Sequence, residues 1–216
     1  MRAAPLMLAF ALCGCATSFG EPASGFIDPQ IAHAYVPLHH AIVPFGHEVG
    51  AAVVIHKGNA TIAVTNAHNY GMIDPSSYLV RFPGKDLILF YAHDGAPPPM
   101  AHPYPGERVR AYGQGVDDEL RTAEGTIVSV DAKIPAPAEC KNCPVQSAIV
   151  YDAPAGPGFS GGPLVDAKTG ALVGITFAYE DKDNRRVMYG YDVNMIVHTL
   201  DVMLEPVPSP KTMTGP

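Results

Sequence analysis

The sequence predicts an all-β protein, and three observations carry that expectation. With 21 Gly and 22 Pro in 216 residues, the chain is punctuated too often for long helices. Apolar residues make up 47% and charged residues only 16%, enough apolar surface for a packed core and too little charge for wholesale disorder. β-Branched and aromatic residues recur in short runs between turn signals. A chain of this length buries one substantial core or two small ones, so a single unit built of two halves is expected. The formal charge of -7, with Lys and Arg scattered, offers no basic face to a phosphate backbone and excludes nucleic acid as a partner.

The chain opens with MRAAPLMLAFALCGCATS. One positive charge at Arg2 precedes an apolar run over residues 3–12, too short to span a bilayer, which reads as a signal peptide. Leu12, Cys13, Gly14 and Cys15 resemble a bacterial lipobox. That resemblance implies removal of residues 1–14, a lipid anchor on Cys15 and residues 15–33 as a tether, giving an exported lipoprotein held on a membrane. An ordinary signal peptide with incidental cysteines is the alternative. The remaining sulfurs, Cys140 and Cys143 in PAECKNCPVQ, are expected to form a small-loop disulfide in an oxidising compartment. A tetrahedral zinc site would need further ligands, and no second C-x-x-C or paired His motif supplies them.

Within residues 47–66, β-branched stretches at 53–55 and 61–65 flank Lys57-Gly58-Asn59, a hairpin signal. Further strands are predicted at 78–82, 87–91, 107–112, 125–130, 147–151, 164–165, 171–177 and 186–191. The run APPPMAHPYP at 96–105 cannot donate a continuous ladder of N–H groups and marks the join between an N-terminal half, 34–105, and a C-terminal half, 106–191. Met195, Ile196, Leu200, Met203 and Leu204 fall at helical spacing, so a closing helix is predicted over 192–205, with Asp192 or Asn194 as its N-cap. The tail 206–216, PVPSPKTMTGP, reads as disordered.

The strongest chemical signal is GPGFSGGPLVD at 156–166, which presents Ser160 on a tight turn between glycines. Glycine admits backbone angles closed to other residues and lets a substrate carbonyl approach the main chain. The N–H groups of Gly158 and Ser160 can then converge as an oxyanion hole. Taken alone, a glycine-rich turn with an accidental serine reads equally well. A serine nucleophile, however, needs a base held by a carboxylate. His68, in AVTNAHNYG, follows an apolar strand, and Asp86, in GKDLILFY, heads another. The other eight of the nine histidines lack such a setting. Asp74 and Asp94 are the alternative carboxylates, but Asp74 precedes Pro75 and Asp94 precedes Gly95, as ordinary turn residues do.

These residues resemble the trypsin-like serine proteases of chymotrypsin fold, and within them the HtrA-like branch. The resemblance runs from about residue 46 to residue 204. Ser160 with its flanks is similar to the family's G-x-S-G-G-P-L, TNAH to the segment around its histidine, and DLILF to its D-L-A-L-L. PGERVRAYG, TAEGTIVSV and ALVGIT lie in register with later strands, and the order His, Asp, Ser is the family's. The resemblance implies two six-stranded antiparallel β-barrels with a C-terminal helix and a His68–Asp86–Ser160 triad. It implies Gly158 and Ser160 as oxyanion donors, a protein or peptide substrate and no cofactor or metal. Only eighteen positions separate His68 from Asp86, so the first barrel must be shortened. Phe159 stands where digestive relatives carry an aspartate that pairs with a new N-terminus, so no zymogen cleavage is expected. Too few residues follow the helix for a PDZ-like domain. The resemblance places Pro154, Ala178, Tyr179 and Val187 around the primary pocket, with no carboxylate at its base and Val187 shortening it. Small aliphatic residues are therefore expected to be preferred. Two alternatives stand beside an endopeptidase: a binding module that keeps the fold without turnover, and an esterase, for which the helix-forming sequence after Ser160 is missing.

Overall fold

The computed structural model describes residues 18–23, 27–42, 46–82, 84–134, 146–182 and 185–204. The expected signal peptide, Cys15, Cys140, Cys143 and the tail 206–216 lie outside them. In chain order the elements are β1 (Glu21–Pro22), the short helix α1 (Pro29–Ala32), β2 (Tyr35–Ile42), β3 (Gly46–Lys57) and β4 (Thr61–Thr65). After two 3-10 turns come β5 (Tyr78–Arg81), β6 (Ile88–Tyr91), β7 (Arg108–Gln114), β8 (Leu120–Ile134) and β9 (Gln146–Asp152). The chain ends in β10 (Pro163–Asp166), β11 (Leu172–Lys182), β12 (Arg185–Asp192) and α2 (Val193–Leu204).

Two antiparallel sheets result. The first runs β2-β3-β4-β6-β5. The second runs β1-β8-β7-β10-β11-β12-β9, and because β9 also pairs with β8 its last six strands close into a barrel. Every predicted strand is present, and α2 is capped by Asp192, whose Oδ1 accepts the Asn194 N–H at 2.8 Å. The first half differs from expectation in having five strands among the described residues. The seventeen residues between His68 and Asp86 are taken up by the two 3-10 turns and one short strand, β5, and leave no length for another.

Two strands escape the sequence pattern. β2 contains Pro37, His39 and His40, which mask its alternation, and it tolerates proline because it lies on a sheet edge. β1 is two residues long. It pairs with Arg121 and Thr122 of β8, so residues 18–23, within the segment 15–33 expected as a tether, lie along the second barrel, where their main-chain hydrogen bonds and the Phe19 ring have partners.

Two apolar clusters are buried, one joining the first half to Val165, Leu172 and Ile175 of the second, the other within the second half. Val53, Val64, Leu87 and Leu89 lie inside the first, joined by Ile196 and Leu200, one turn apart on α2. Val109, Ile127, Ile149, Tyr151, Phe159 and Leu164 fill the second. At about 1.5–3 kcal/mol for each large side chain, these clusters hold the fold. Polar links join the halves: the Tyr35 hydroxyl donates to Gln114 Oε1 at 3.0 Å, and Ala51 N–H donates to the Ser160 carbonyl at 2.9 Å. The proline-rich run, short of N–H groups, pairs with β11: Leu172 N–H donates to Pro99 O at 2.8 Å and Ala101 N–H to Leu172 O at 3.0 Å.

Candidate active site

His68 stands on the 3-10 turn Ala67–Met72, directly after β4. Ala67 and Asn69 on either side are buried, so the turn holds the imidazole outward with about half of its side chain exposed. Its Nδ1 lies 2.6 Å from Asp86 Oδ2, and its main-chain N–H donates to Asp86 Oδ1 at 3.0 Å. Both carboxylate oxygens are therefore committed to one residue, a charge-assisted arrangement that holds Nδ1 protonated and leaves Nε2 free to accept.

Asp86 precedes β6 and is held by its main chain as well. Its N–H donates to the Tyr191 hydroxyl at 3.2 Å, and its carbonyl accepts Asn66 Nδ2 at 3.0 Å. The Tyr191 hydroxyl donates in turn to Gln146 Oε1 at 2.9 Å, and Gln146 Nε2 donates to the Gly84 carbonyl at 2.6 Å. Burial pushes the Tyr191 hydroxyl up to about 12, so it stays neutral at working pH. Asp74 and Asp94 do turn work instead: Asp74 Oδ1 accepts the Ser76 N–H, and Asp94 Oδ1 accepts the Gly95 N–H.

Ser160 is half-buried on the loop before β10. Phe159 N–H folds back to the Gly156 carbonyl at 3.1 Å and Gly162 N–H to the Phe159 carbonyl at 2.9 Å, so two tight turns flank the serine. Gly158 adopts φ +92°, and a Cβ there would run into the Gln114 carbonyl; Gly161, at φ +80°, would strike Thr65 and Ala51. Neither Gly158 N–H nor Ser160 N–H donates to another described residue, which leaves both able to meet a ligand oxygen. The Ser160 hydroxyl likewise makes no hydrogen bond among the described residues. Serine-to-base links commonly tighten only when substrate arrives.

Asn69, to which the sequence reading assigns no role, ties these parts together. Fully buried, it donates from Nδ2 to the Ser160 carbonyl and to Thr65 Oγ1, each at 2.9 Å, while Thr65 Oγ1 donates to Ala51 O at 2.7 Å. A Cβ on Gly50 would sit 2.8 Å from Asn69 Nδ2, so the glycine makes room for this clamp. Asn66, Asn69 and Thr65 lie within the quoted histidine motif; Asp86 and Ser160, to which the two asparagines reach, do not, and Tyr191 carries no local signal.

The residues expected around the primary pocket are only partly brought together. Ala178 is half-buried, Tyr179 is exposed, and Pro154 is exposed with its carbonyl taken by Gly20 N–H at 3.2 Å. Val187 is half-buried, whereas its neighbour Met188 is fully buried and packs in one cluster with Ala153, Ala155 and Tyr151. Successive residues of a strand face opposite sides. Met188 therefore faces the buried cluster of the second barrel, and Val187 faces the opposite side. Asp152 Oδ1 accepts the Thr126 N–H and Glu180 Oε2 the Tyr189 hydroxyl. Among the described residues no group of three or more His, Cys, Asp or Glu side chains converges as a metal site, and no helix is long and apolar enough to cross a membrane.

Two antiparallel sheets, a C-terminal helix and a glycine-bounded serine beside a His–Asp pair define a chymotrypsin-like protease fold. Residues 49–175 match the trypsin-like peptidase domain, and the chain belongs to that family. Among solved structures it is similar to the Rv3671c protease from M. tuberculosis in its active form, at TM-score 0.65 and 18% identity over 90% of this chain and 91% of that one. It is also similar to the MamO protease domain from Magnetospirillum magneticum, at TM-score 0.59 and 18% identity over 79% and 97%. A third is the HtrA-type protease AlgW, in its S227A form with a tripeptide, at TM-score 0.63 and 19% identity; 82% of this chain spans 62% of that one. No curated protein matches the chain.

Proposed function

We propose that the protein is a serine endopeptidase that cleaves proteins or peptides outside the cytoplasm. The observation that carries this reading is the 2.6 Å contact between His68 Nδ1 and Asp86 Oδ2 on the turn whose next residue, Asn69, holds the Ser160 carbonyl. Ser160 Oγ attacks the scissile carbonyl while His68 Nε2 takes its proton, and Asp86 stabilises the imidazolium. Gly158 and Ser160 N–H groups receive the oxyanion. Collapse of the tetrahedral intermediate breaks the C–N bond, with the proton passing from His68 to the leaving amine; water then releases the acyl group by the same route. A peptide is the expected substrate class, in keeping with the tripeptide held by AlgW. With Val187 shortening the primary pocket, small aliphatic residues are preferred there.

Cys15 is the proposed lipid anchor, and Cys140 and Cys143 the proposed disulfide. Three residues from Cys15 to Ser18 span at most about 10 Å. Since Ser18 Oγ already accepts the Val116 N–H at 3.2 Å, a lipidated enzyme would hold its second barrel at the bilayer surface and meet membrane-proximal substrates. Intact mass of the native protein without reduction tests both modifications: a free Cys15, or two free thiols, removes the corresponding claim.

Incubation with a fluorophosphonate probe tests the function. Labelling of the wild type that vanishes in Ser160→Ala is expected. A second reading, a binding module without turnover, is favoured by the unengaged Ser160 hydroxyl. Folded but unlabelled wild-type protein would establish it over the first.

A further inference from the structure

We propose that residues 18–23 form a built-in brace that holds the Ser160 loop in its oxyanion-binding shape, with Phe19 as its positioning residue. For its effect on catalysis this rests on the protease reading above; for its effect on the loop it does not.

The loop from Pro154 to Ser160 is gripped from two sides. On one side lies β7, whose Gln114 N–H donates to the Gly158 carbonyl at 2.9 Å and whose Gly113 leaves room for the Phe159 ring: a Cβ there would lie 2.6 Å from it. On the other side lies the N-terminal segment. Gly20 N–H donates to the Pro154 carbonyl at 3.2 Å, and Gly20 itself, at φ +69°, passes so close to Phe159 that a Cβ would sit 2.7 Å from the ring. The Phe19 ring covers Gly156, where a Cβ would lie 2.7 Å from it. Arg186 completes this side. Its guanidinium lies 4.6 Å from the Phe19 ring and 4.6 Å from the Tyr179 ring, donates from Nη1 to the Ala155 carbonyl at 3.1 Å, and is held by both oxygens of Asp181 at 2.7 and 2.8 Å.

The segment is seated independently of the loop. β1 pairs with β8, Ala23 N–H donates to Leu120 O at 2.9 Å, and Ser18 Oγ accepts the Val116 N–H. A fixed strand thus presses one aromatic ring against the turn that must aim the Gly158 N–H. The fully buried Phe159 is wedged between the two grips, so the peptide that precedes it cannot turn over without opening a cavity. Apolar packing and one main-chain hydrogen bond do here what an ion pair to a carboxylate would do, and they need no new N-terminus. Removing the ring leaves Gly156 uncovered and the Arg186 guanidinium without one of its two faces, while β1 and its pairing remain.

The test is a graded series, Phe19→Tyr, Phe19→Leu and Phe19→Ala, in the full chain, with Glu21→Ala, an exposed residue of β1, as the control. Hydrogen exchange is read at the Phe159, Gly161 and Gly162 amides, with the Val54 amide of the first sheet as reference, and fluorophosphonate labelling rates are read in parallel. The Ala variant is expected to exchange about ten- to hundredfold faster at the three loop amides with Val54 unchanged. Its labelling should slow by a similar factor, with Leu intermediate, Tyr near wild type and Glu21→Ala unchanged. If loop exchange is the same in all variants, or if Val54 accelerates equally, the brace is refuted. Wild type that fails to label overturns the protease reading, and the exchange comparison still decides the brace.

Discussion

Asp86→Asn offers the sharpest test of the site, because the structure dictates how the amide must sit. His68 presents two donors to the carboxylate, its main-chain N–H at 3.0 Å and Nδ1 at 2.6 Å. The main-chain group can only donate, so the amide oxygen of Asn turns toward it and the amide NH2 faces Nδ1. Nδ1 must then accept, and the ring proton moves to Nε2, the atom that has to take the proton of Ser160. Forcing the productive tautomer forfeits a charge-assisted bond worth about 1.5–3 kcal/mol. The imidazolium formed during turnover loses a neighbouring charge worth up to about 4 kcal/mol at an effective dielectric near 20, and the 48% exposure of the His68 side chain lowers that figure. The total of about 4–6 kcal/mol corresponds to a roughly 10³–10⁴-fold slower reaction. Fluorophosphonate labelling followed by intact mass, and hydrolysis of a fluorogenic peptide, would measure it. Thermal stability should change little, since Tyr191 and Asn66 bind the Asp86 main chain and not its side chain. A loss of less than tenfold, or a large loss in Asp74→Asn or Asp94→Asn instead, would refute the reasoning.

Asn69→Ala leaves the Ser160 carbonyl with Ala51 N–H alone and withdraws a buried donor from Thr65, which should cost about 1–3 kcal/mol of stability; denaturant melts would show it, and an unchanged midpoint would deny the clamp. In the proposed primary pocket, Val187→Gly should admit larger residues in a peptide library read by mass spectrometry; an unchanged preference would take Val187 out of the pocket. Glu107, buried with its Oε2 accepting the Tyr104 N–H, has its carboxyl raised above the ordinary range by burial. The folded state therefore binds its proton more tightly than the unfolded chain, and stability from this group falls as pH rises through the window above the usual carboxylate value. Glu107→Gln, which keeps an acceptor for Tyr104, should raise Tm at pH 7 and lose that advantage near pH 4; equal shifts at both pH values would contradict the assignment.

Strands with short runs of β-branched residues bounded by turns, such as β4 and β11, were legible because such residues fit a pleated, buried strand, a property of the residues themselves. β2 was not, since Pro37 and the histidine pair obscure a strand that only its partner β3 makes evident. The closing helix was legible from its spacing, and its cap resolves to Asp192 because the chain turns there from β12 directly into α2. Along β12, strand alternation is visible in the sequence, but that Met188 and not Val187 faces the buried cluster depends on where β9 and the Ala155 loop come to lie.

What the sequence by itself determined is the short-range part of the site. The glycines around Ser160 permit turns that close within a few residues and present the serine on a loop. The runs holding His68 and Asp86 likewise announce a strand end and a strand start. Only the tertiary structure decided what makes these parts one device. Asn69 reaches Ser160 across 91 positions, Tyr191 reaches Asp86 across 105, and Phe19 lies against a loop that begins more than a hundred residues later. A hydrogen bond or an aromatic contact acts over a few ångströms, so partners this distant in the chain are selected by how the two sheets pack, and no local pattern records that choice.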